Sequence, residues 1–451
     1  MDHLEMTELM ILPFYFALIF TIAYARQRKK IQGNPSYKYF ARGIALKLFG
    51  ATAFCCVFAY YYKGGDTFSY FENARSFCNL MRQHPGSFLD VYFGSNSWEH
   101  YSLFDKYTGY PQTNIFFEAR GFFTSKLLTP FVFLGFNSYL ISTMLLSLFS
   151  FFGIWRMYQV FCRYYPEMYK PLAISFLFFP SAIFWGSGIL KDTITFSGFC
   201  WFVSSVEMGL ISKKKTIKNL FTAFVSGYIV LMIKPYIIMA CLPGLIVWLT
   251  HERIRKISNV LLKNVAVPFI FAISIASGVG LMSVFADKLD KFSLDKVLDT
   301  AVVSQRDLKR VEYKGHSFDI GEFDASISGV LGKFPVATIA GLYRPFIWES
   351  GNFVMLLSGV ENLVLLYLSL SPLFKIGPRR IFGIFFREPL LLFIFSYSIL
   401  FAFSIGVSTS NFGALIRFKI AFAPFMASML LIFYDQKKLK LLAPPIASKR
   451  G

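Results

Sequence analysis

The sequence predicts an all-α polytopic membrane protein with about 11 transmembrane helices, and three observations predict it. Hydrophobic residues make up 55% of the 451 positions and charged residues 16%, mean hydropathy is +0.51, and Phe alone occurs 55 times. That leaves too little polar surface to clothe a water-soluble core. Apolar runs of span length recur along the chain. Basic residues cluster on alternate connections between those runs.

The expected spans are 9–25, 46–62, 138–155, 171–189, 193–211, 219–233, 236–250, 264–286, 352–373, 389–407 and 420–434. The first follows Asp2, Glu5 and Glu8 and precedes Arg26, Arg28, Lys29 and Lys30, so it reads as an uncleaved anchor with an external N-terminus. The second ends at Gly64-Gly65, the fourth and fifth are parted by Lys191-Asp192, and the sixth and seventh by Lys234-Pro235. The sixth, Asn219 to Ile233, is with 236–250 and 420–434 one of the three shortest expected spans, at 15 residues. Six segments (Arg26 to Lys47, Arg156 to Lys170, Lys213 to Lys218, Arg253 to Lys263, Lys375 to Arg387, Lys437 to Arg450) hold 27 of the 46 Lys and Arg, all on one side of this map. The other side holds 20 of the 26 acids. The basic side is therefore expected to be cytoplasmic, with the C-terminus inside. A net charge of +20 is then mostly topological, and nucleic acid is not an expected partner. Most of the six cysteines lie in or beside apolar runs, so no disulfide framework is implied.

Residues 1–451 read as a single transmembrane domain with two long external loops, 63–137 and 287–351. The first opens KGGDTFSYFENARSFCNLM, where Asp66 is placed to cap a helix and Phe68, Phe71, Ala74, Phe77, Cys78 and Met81 recur at helical spacing, as in an amphipathic helix on the outer membrane surface. A second interfacial or re-entrant helix is expected over Phe116 to Phe136. The second loop begins with a charged, helical stretch to Arg310, passes through YKGHSFDIGEFDASISG and ends in LYRPFIWESGN.

Short polar motifs interrupt the apolar runs on the external side: Asp66 in KGGD, Lys191-Asp192, Lys234-Pro235-Tyr236, Arg344 with Trp348-Glu349, and Asn411 with Arg417 and Lys419 in SNFGALIRFK. Charge at a membrane boundary is costly unless it snorkels, pairs or meets a ligand. An external polar pocket that takes an anionic headgroup accounts for all five, since guanidinium and ammonium groups grip phosphate. Each also has a plainer reading. Asp66 can be a helix cap, Lys191-Asp192 a loop ion pair, Lys234 a snorkelling helix end, Arg344 and Arg417 lipid anchors, and Trp348 an interface marker. Glu207 and Glu361 fall within spans, where an acid is either functional or satisfied by a neighbouring helix. The acids of FDIGEFD could hold a divalent metal or form a solvated turn. No Walker loop or dinucleotide fingerprint is present.

With these motifs the chain resembles the GT-C superfamily of integral-membrane glycosyltransferases, which take sugars from polyprenyl-phosphate or polyprenyl-diphosphate donors on the non-cytoplasmic face. The likeness covers the many-span layout, a long first external loop with surface helices, an acid just after the span that enters it, and basic residues around the external face. In that superfamily the loop acid is the catalytic base or its close partner, and the matching position is Asp66. PSAIFWGSGILKD, LYRPFIWE and SNFGALIRFK also resemble segments of bacterial envelope-sugar membrane proteins. Several GT-C branches carry a second acid beside the first, whereas Thr67, Phe68 and Ser69 follow here, and a further span precedes the loop.

The resemblance implies a bacterial inner-membrane glycosyltransferase with Asp66 as base. Its partners would be a polyprenyl-phosphate sugar donor, membrane lipid, and a glycan, lipid or protein acceptor. Lys191, Asp192, Lys234, Tyr236, Arg344, Trp348, Glu349, Asn411 and Arg417 would form the substrate site. The chemistry asks for cations on the leaving phosphate and a carboxylate within reach of the acceptor hydroxyl. An O-antigen-type polymerase or ligase is an alternative, and the spacing Arg310 to Gly321 fits the Arg-x10-Gly pattern of such polymerases. A glycan-lipid flippase or secondary transporter is another, and would need polar residues near mid-membrane.

Overall fold

Helices hold most described residues of the computed structural model, which describes residues 6–284, 302–303 and 317–435; an isolated antiparallel bridge joins Ser317 to Asn411. The charged stretch after residue 287, Arg310, and the basic segment from Lys437 lie outside the described residues. The chain divides into two compact units, Met1–Lys234 and Pro235–Gly451. Among the described residues eight helices are long and apolar enough to cross a membrane: Met10–Lys30, Pro35–Tyr62, Tyr139–Tyr164, Lys191–Ile211, Thr216–Ile233, Pro235–Arg255, Phe353–Ile376 and Pro389–Ser408. The bent pair Phe412–Lys419 and Ala423–Tyr434, which turns by 62°, makes nine if it is one span.

The first unit runs through α1 (Met6–Lys30), α2 (Phe40–Cys56, continued as a π-helical turn to Tyr62), α3 (Asp66–Gln83), α4 (Pro85–Phe93), α5 (Trp98–Tyr101), α6 (Thr113–Phe116), α7 (Ala119–Leu134), α8 (Tyr139–Tyr164), α9 (Tyr169–Phe176), α10 (Pro180–Trp185), α11 (Lys191–Val206) and α12 (Thr216–Ile233). Helix α1 exposes Met10, Phe14, Leu18 and Ile22, as a lipid-facing helix does. The apolar stripe of α3 is not spread on a membrane surface. Phe68 and Phe71 pack on Tyr139, while Phe77 joins Leu80, Phe88, Val91, Phe104, Phe116 and Phe122 in an aromatic core belonging to the 63–137 loop. Here Asp105 accepts the amide hydrogens of Thr108 and Tyr107, and those bonds, the Thr108 one foremost, hold its carboxyl below the usual carboxylate range.

The expected span 171–189 is two short helices, not one. The apolar run contains Pro171 and Pro180, and the chain unwinds after Phe176 and again after Trp185. Tyr169 and Phe178 lie against Tyr39, Ile183 lies against Gly50, and Trp185 against Phe58, so the broken segment climbs alongside α2 from its start toward its end. The freed backbone is satisfied from α2. Lys47 Nζ donates to the carbonyls of Ala182 (3.4 Å) and Gly186. Lys47 was expected among the basic residues of the cytoplasmic side, but it is only 4% exposed inside this unit.

The second unit comprises α13 (Pro235–Arg255), α14 (Val260–Val284), α15 (Ile327–Gly332), α16 (Phe334–Tyr343), α17 (Phe353–Ile376), α18 (Pro378–Arg387), α19 (Pro389–Ser408), α20 (Phe412–Lys419) and α21 (Ala423–Tyr434). Helix α19 is its centre and packs on α13, α16 and α21. The in-span acid Glu207 of the first unit is fully buried and is satisfied by Arg163 of α8 and the Tyr164 hydroxyl, which is the structural reading of that residue.

Gly50 gives the first prediction. A Cβ there would sit 2.4 Å from the Ile183 carbonyl oxygen, whereas one at Gly64 meets nothing within 4 Å. Gly50→Ala is expected to push α10 off α2 and cost about 1–3 kcal/mol, read as a lowered Tm of the detergent-solubilised protein, while Gly64→Ala leaves Tm unchanged.

Candidate functional site

In the first unit the polar residues gather at one end of α3, α11 and α12. The chain leaves the π-helical turn after α2 through Lys63 (φ 51°) and Gly65 (φ 122°), a backbone path that glycine permits. Gly65, not Asp66, is the N-cap of α3, and no side chain caps it by hydrogen bonding. Asp66 takes the first helical position, exposed, where the helix dipole favours a carboxylate. One turn along the same face is Tyr70, 6% exposed, and the Lys191 ammonium lies 5.3 Å from the centre of its ring.

Lys191 and Asp192 are adjacent, yet each forms an ion pair with a residue distant in the chain. Lys191 begins α11, where a cation opposes the helix dipole, and its ammonium pairs with Glu118 at 2.9 Å. Asp192 turns the other way and accepts from Lys234 at 2.6 Å. Lys234 follows the last residue of α12, a position that suits a cation, and it does not snorkel. The Asp192 and Lys234 side chains are 3% and 10% exposed, whereas Lys191 and Glu118 are 15% and 32% exposed. The first pair is a buried structural tie between α11 and α12; the second is partly exposed. Glu118 falls in the stretch Phe116 to Phe136, expected as an interfacial or re-entrant helix. Glu118 lies 52 residues beyond Asp66 in the chain.

In the second unit the LYRPFIWE motif closes on itself. Arg344 pairs with Glu349 at 2.8 Å, donates to the Asp319 carbonyl at 3.4 Å, and lies 5.5 Å over the ring of Phe318. Glu349 also accepts the Phe346 amide hydrogen, and Trp348, 78% exposed, stacks on Phe346 at 4.9 Å. Lys419, a residue of the motif not expected in the site, is 4% exposed; it donates to the Leu342 carbonyl (3.0 Å), the Arg344 carbonyl and Asn362 Oδ1 (3.0 Å). It therefore caps the end of α16 from inside the unit. Asn411 is the N-cap of α20, accepting the Ala414 amide hydrogen at 3.1 Å; Arg417 is half-buried on that helix; and Tyr236 stacks on Phe401 at 5.7 Å. In FDIGEFD, Asp319 accepts the Gly321 amide hydrogen at 2.8 Å as part of a turn. No group of three His, Cys, Asp or Glu side chains suited to a metal occurs among the described residues.

Each unit thus brings part of the expected set together: Asp66, Lys191, Asp192 and Lys234 in the first, Arg344, Trp348 and Glu349 in the second. Of these, the cluster on α3, α7 and α11 combines an exposed acid with an accessible ammonium. Comparison with known proteins finds no family model, no curated protein and no solved structure that matches this chain.

The buried tie makes its own prediction. Lys234→Met takes the ammonium away from Asp192 at 3% exposure, an expected loss of about 3–5 kcal/mol. Adding Asp192→Leu removes the buried carboxylate and restores most of it, so Tm should fall in the single variant and recover in the double.

Proposed function

We propose that this protein is a membrane glycosyltransferase that moves a sugar from a polyprenyl-phosphate donor to an acceptor hydroxyl on the non-cytoplasmic face. The observation that carries the reading is the Lys191–Glu118 pair on the Tyr70 ring, one helical turn from Asp66. A donor phosphate competes with Glu118 for the Lys191 ammonium, and a charge-assisted contact in a water-poor site is stronger than the same contact in bulk water. Asp66 takes the proton of the acceptor hydroxyl as its oxygen bonds to the anomeric carbon. The bond from that carbon to the phosphate oxygen breaks, and polyprenyl phosphate leaves with its charge held by Lys191. Glu118, displaced from Lys191, is a second acceptor for that proton. Asp192 and Lys234 hold the start of α11, and so Lys191, in place.

The broken segment α9–α10 favours a second reading, a transporter of glycan lipids, because unwound backbone and a buried lysine inside a span are features of transport pathways. Lys47 is spent on the carbonyls of that segment and the accessible charges gather at one end of the unit, which supports transfer over passage.

The test is transfer of labelled sugar from a polyprenyl-phosphate donor by proteoliposomes. Asp66→Asn is expected to lower kcat by roughly 10²–10⁴-fold, and Lys191→Gln to raise the donor KM. Full transfer by Asp66→Asn removes the base assignment. Donor lipid that scrambles between leaflets without any sugar transfer selects the transporter.

A further inference from the structure

The 63–137 loop carries a feature that the proposed chemistry does not use. Trp98 opens α5, whose N-cap Ser97 accepts the His100 amide hydrogen, and it is 68% exposed. Its ring lies 4.4 Å from that of Phe117 and 5.5 Å from that of Tyr101. Tyr101 in turn contacts Phe117 at 5.4 Å and Tyr110, 59% exposed, at 6.3 Å. Two of the four rings, Tyr101 and Phe117, are fixed from below. The Tyr101 hydroxyl donates to the Pro111 carbonyl at 3.1 Å, Asn96 donates to the Phe117 carbonyl at 2.8 Å, and Phe104 and Phe116 pack underneath at 3% and 1% exposure. An exposed indole resting on two fixed rings gives up less side-chain freedom to a ligand than one standing alone.

The surroundings say what such a platform takes. Glu99, Ser102, Gln112 and Asn114 are exposed around it, so an apolar patch is rimmed by hydrogen-bonding groups. Helix α4 in the same loop is different: Leu89 and Phe93 are 54% and 79% exposed with few charges near them in sequence, which suits contact with lipid. Phe117 also directly precedes Glu118, so the platform leads into the Lys191 cluster.

We propose that Trp98, Tyr101, Tyr110 and Phe117 form a saccharide-binding platform that holds a neutral stretch of the acceptor glycan. A pyranose ring offers a face of C–H groups made electropositive by their oxygens, which stacks on the electron-rich face of an aromatic ring, and its hydroxyls hydrogen-bond outward to a polar rim. The acceptor role rests on the transferase reading above; the binding of saccharide does not.

The test uses the full chain in nanodiscs, with binding of maltohexaose, cellohexaose and chitohexaose followed by calorimetry and the Trp98 fluorescence recorded in parallel. At least one is expected to bind saturably, with affinity falling roughly three- to tenfold in Trp98→Ala and largely kept in Trp98→Tyr; both variants should fold, since the residue is exposed. In the transfer assay Trp98→Ala should raise the acceptor KM while kcat and the donor KM stay unchanged. The same Trp98-dependent binding in Asp66→Asn supports the platform even if transfer proves absent. Saturable binding of none of the three, binding indifferent to Trp98→Ala, or transfer whose acceptor KM ignores Trp98 overturns it. Quenching of the Trp98 signal by brominated lipid assigns the ring to the membrane interface and overturns it as well.

Discussion

Lys191 and Asp192 are neighbours in the chain that point to different partners, and the polar end of the first unit depends on that divergence. A helix N-terminus welcomes Asp192 and resists Lys191. The resisted cation is therefore held by something outside the helix, and Glu118 before α7 provides it. The welcomed anion is buried, and Lys234 at the end of α12 neutralises it. One dipeptide thus ties the 63–137 loop to α11 and α11 to α12, with a partly exposed contact on one side and a desolvated one on the other. Desolvated pairs resist exchange because separation strands a charge in low dielectric, whereas accessible pairs trade partners at small cost.

The second unit solves a related problem with other parts. Its RPFIWE segment leaves carbonyls at the end of α16 without helical partners, and Lys419 inserts from α20 to take them, with Asn362 bridging to Pro345. Arg344 is kept in place by Glu349 and by the face of Phe318. These charges hold irregular backbone in shape, a role that a low-dielectric environment makes necessary wherever a helix stops short.

Much of this was legible in the sequence because lipid imposes length and apolarity, so the long helices at Phe353–Ile376 and Pro389–Ser408 lie almost where hydropathy puts them. The break in 171–189 was not read, since an averaged hydropathy is blind to backbone continuity, although Pro171, Pro180, Gly186 and Gly188 were present as its signal. The apolar stripe of α3 was seen, but the same periodicity fits a lipid surface or a protein core; the Phe-rich remainder of the loop decides for the core. The polar motifs were found one by one because charge next to an apolar run stands out. Their partners were not, because Glu118 lies 73 positions from Lys191 and a sequence pattern carries no information on which of many acids will reach a given lysine.

The clamp of Lys47 on Ala182 and Gly186 spans 135 residues for the nearer carbonyl. At a synthesis rate of roughly 5–20 residues per second, the lysine emerges about 7–27 s before the oxygen atoms that will receive its protons. During that interval a lone ammonium at the centre of a helix costs about 2.5–3.5 kcal/mol to place in the bilayer. The nascent α2 must therefore linger beside the insertion machinery or at the headgroup layer until α10 arrives, which makes the order of biogenesis, and not only the finished packing, a condition that this chain has to meet.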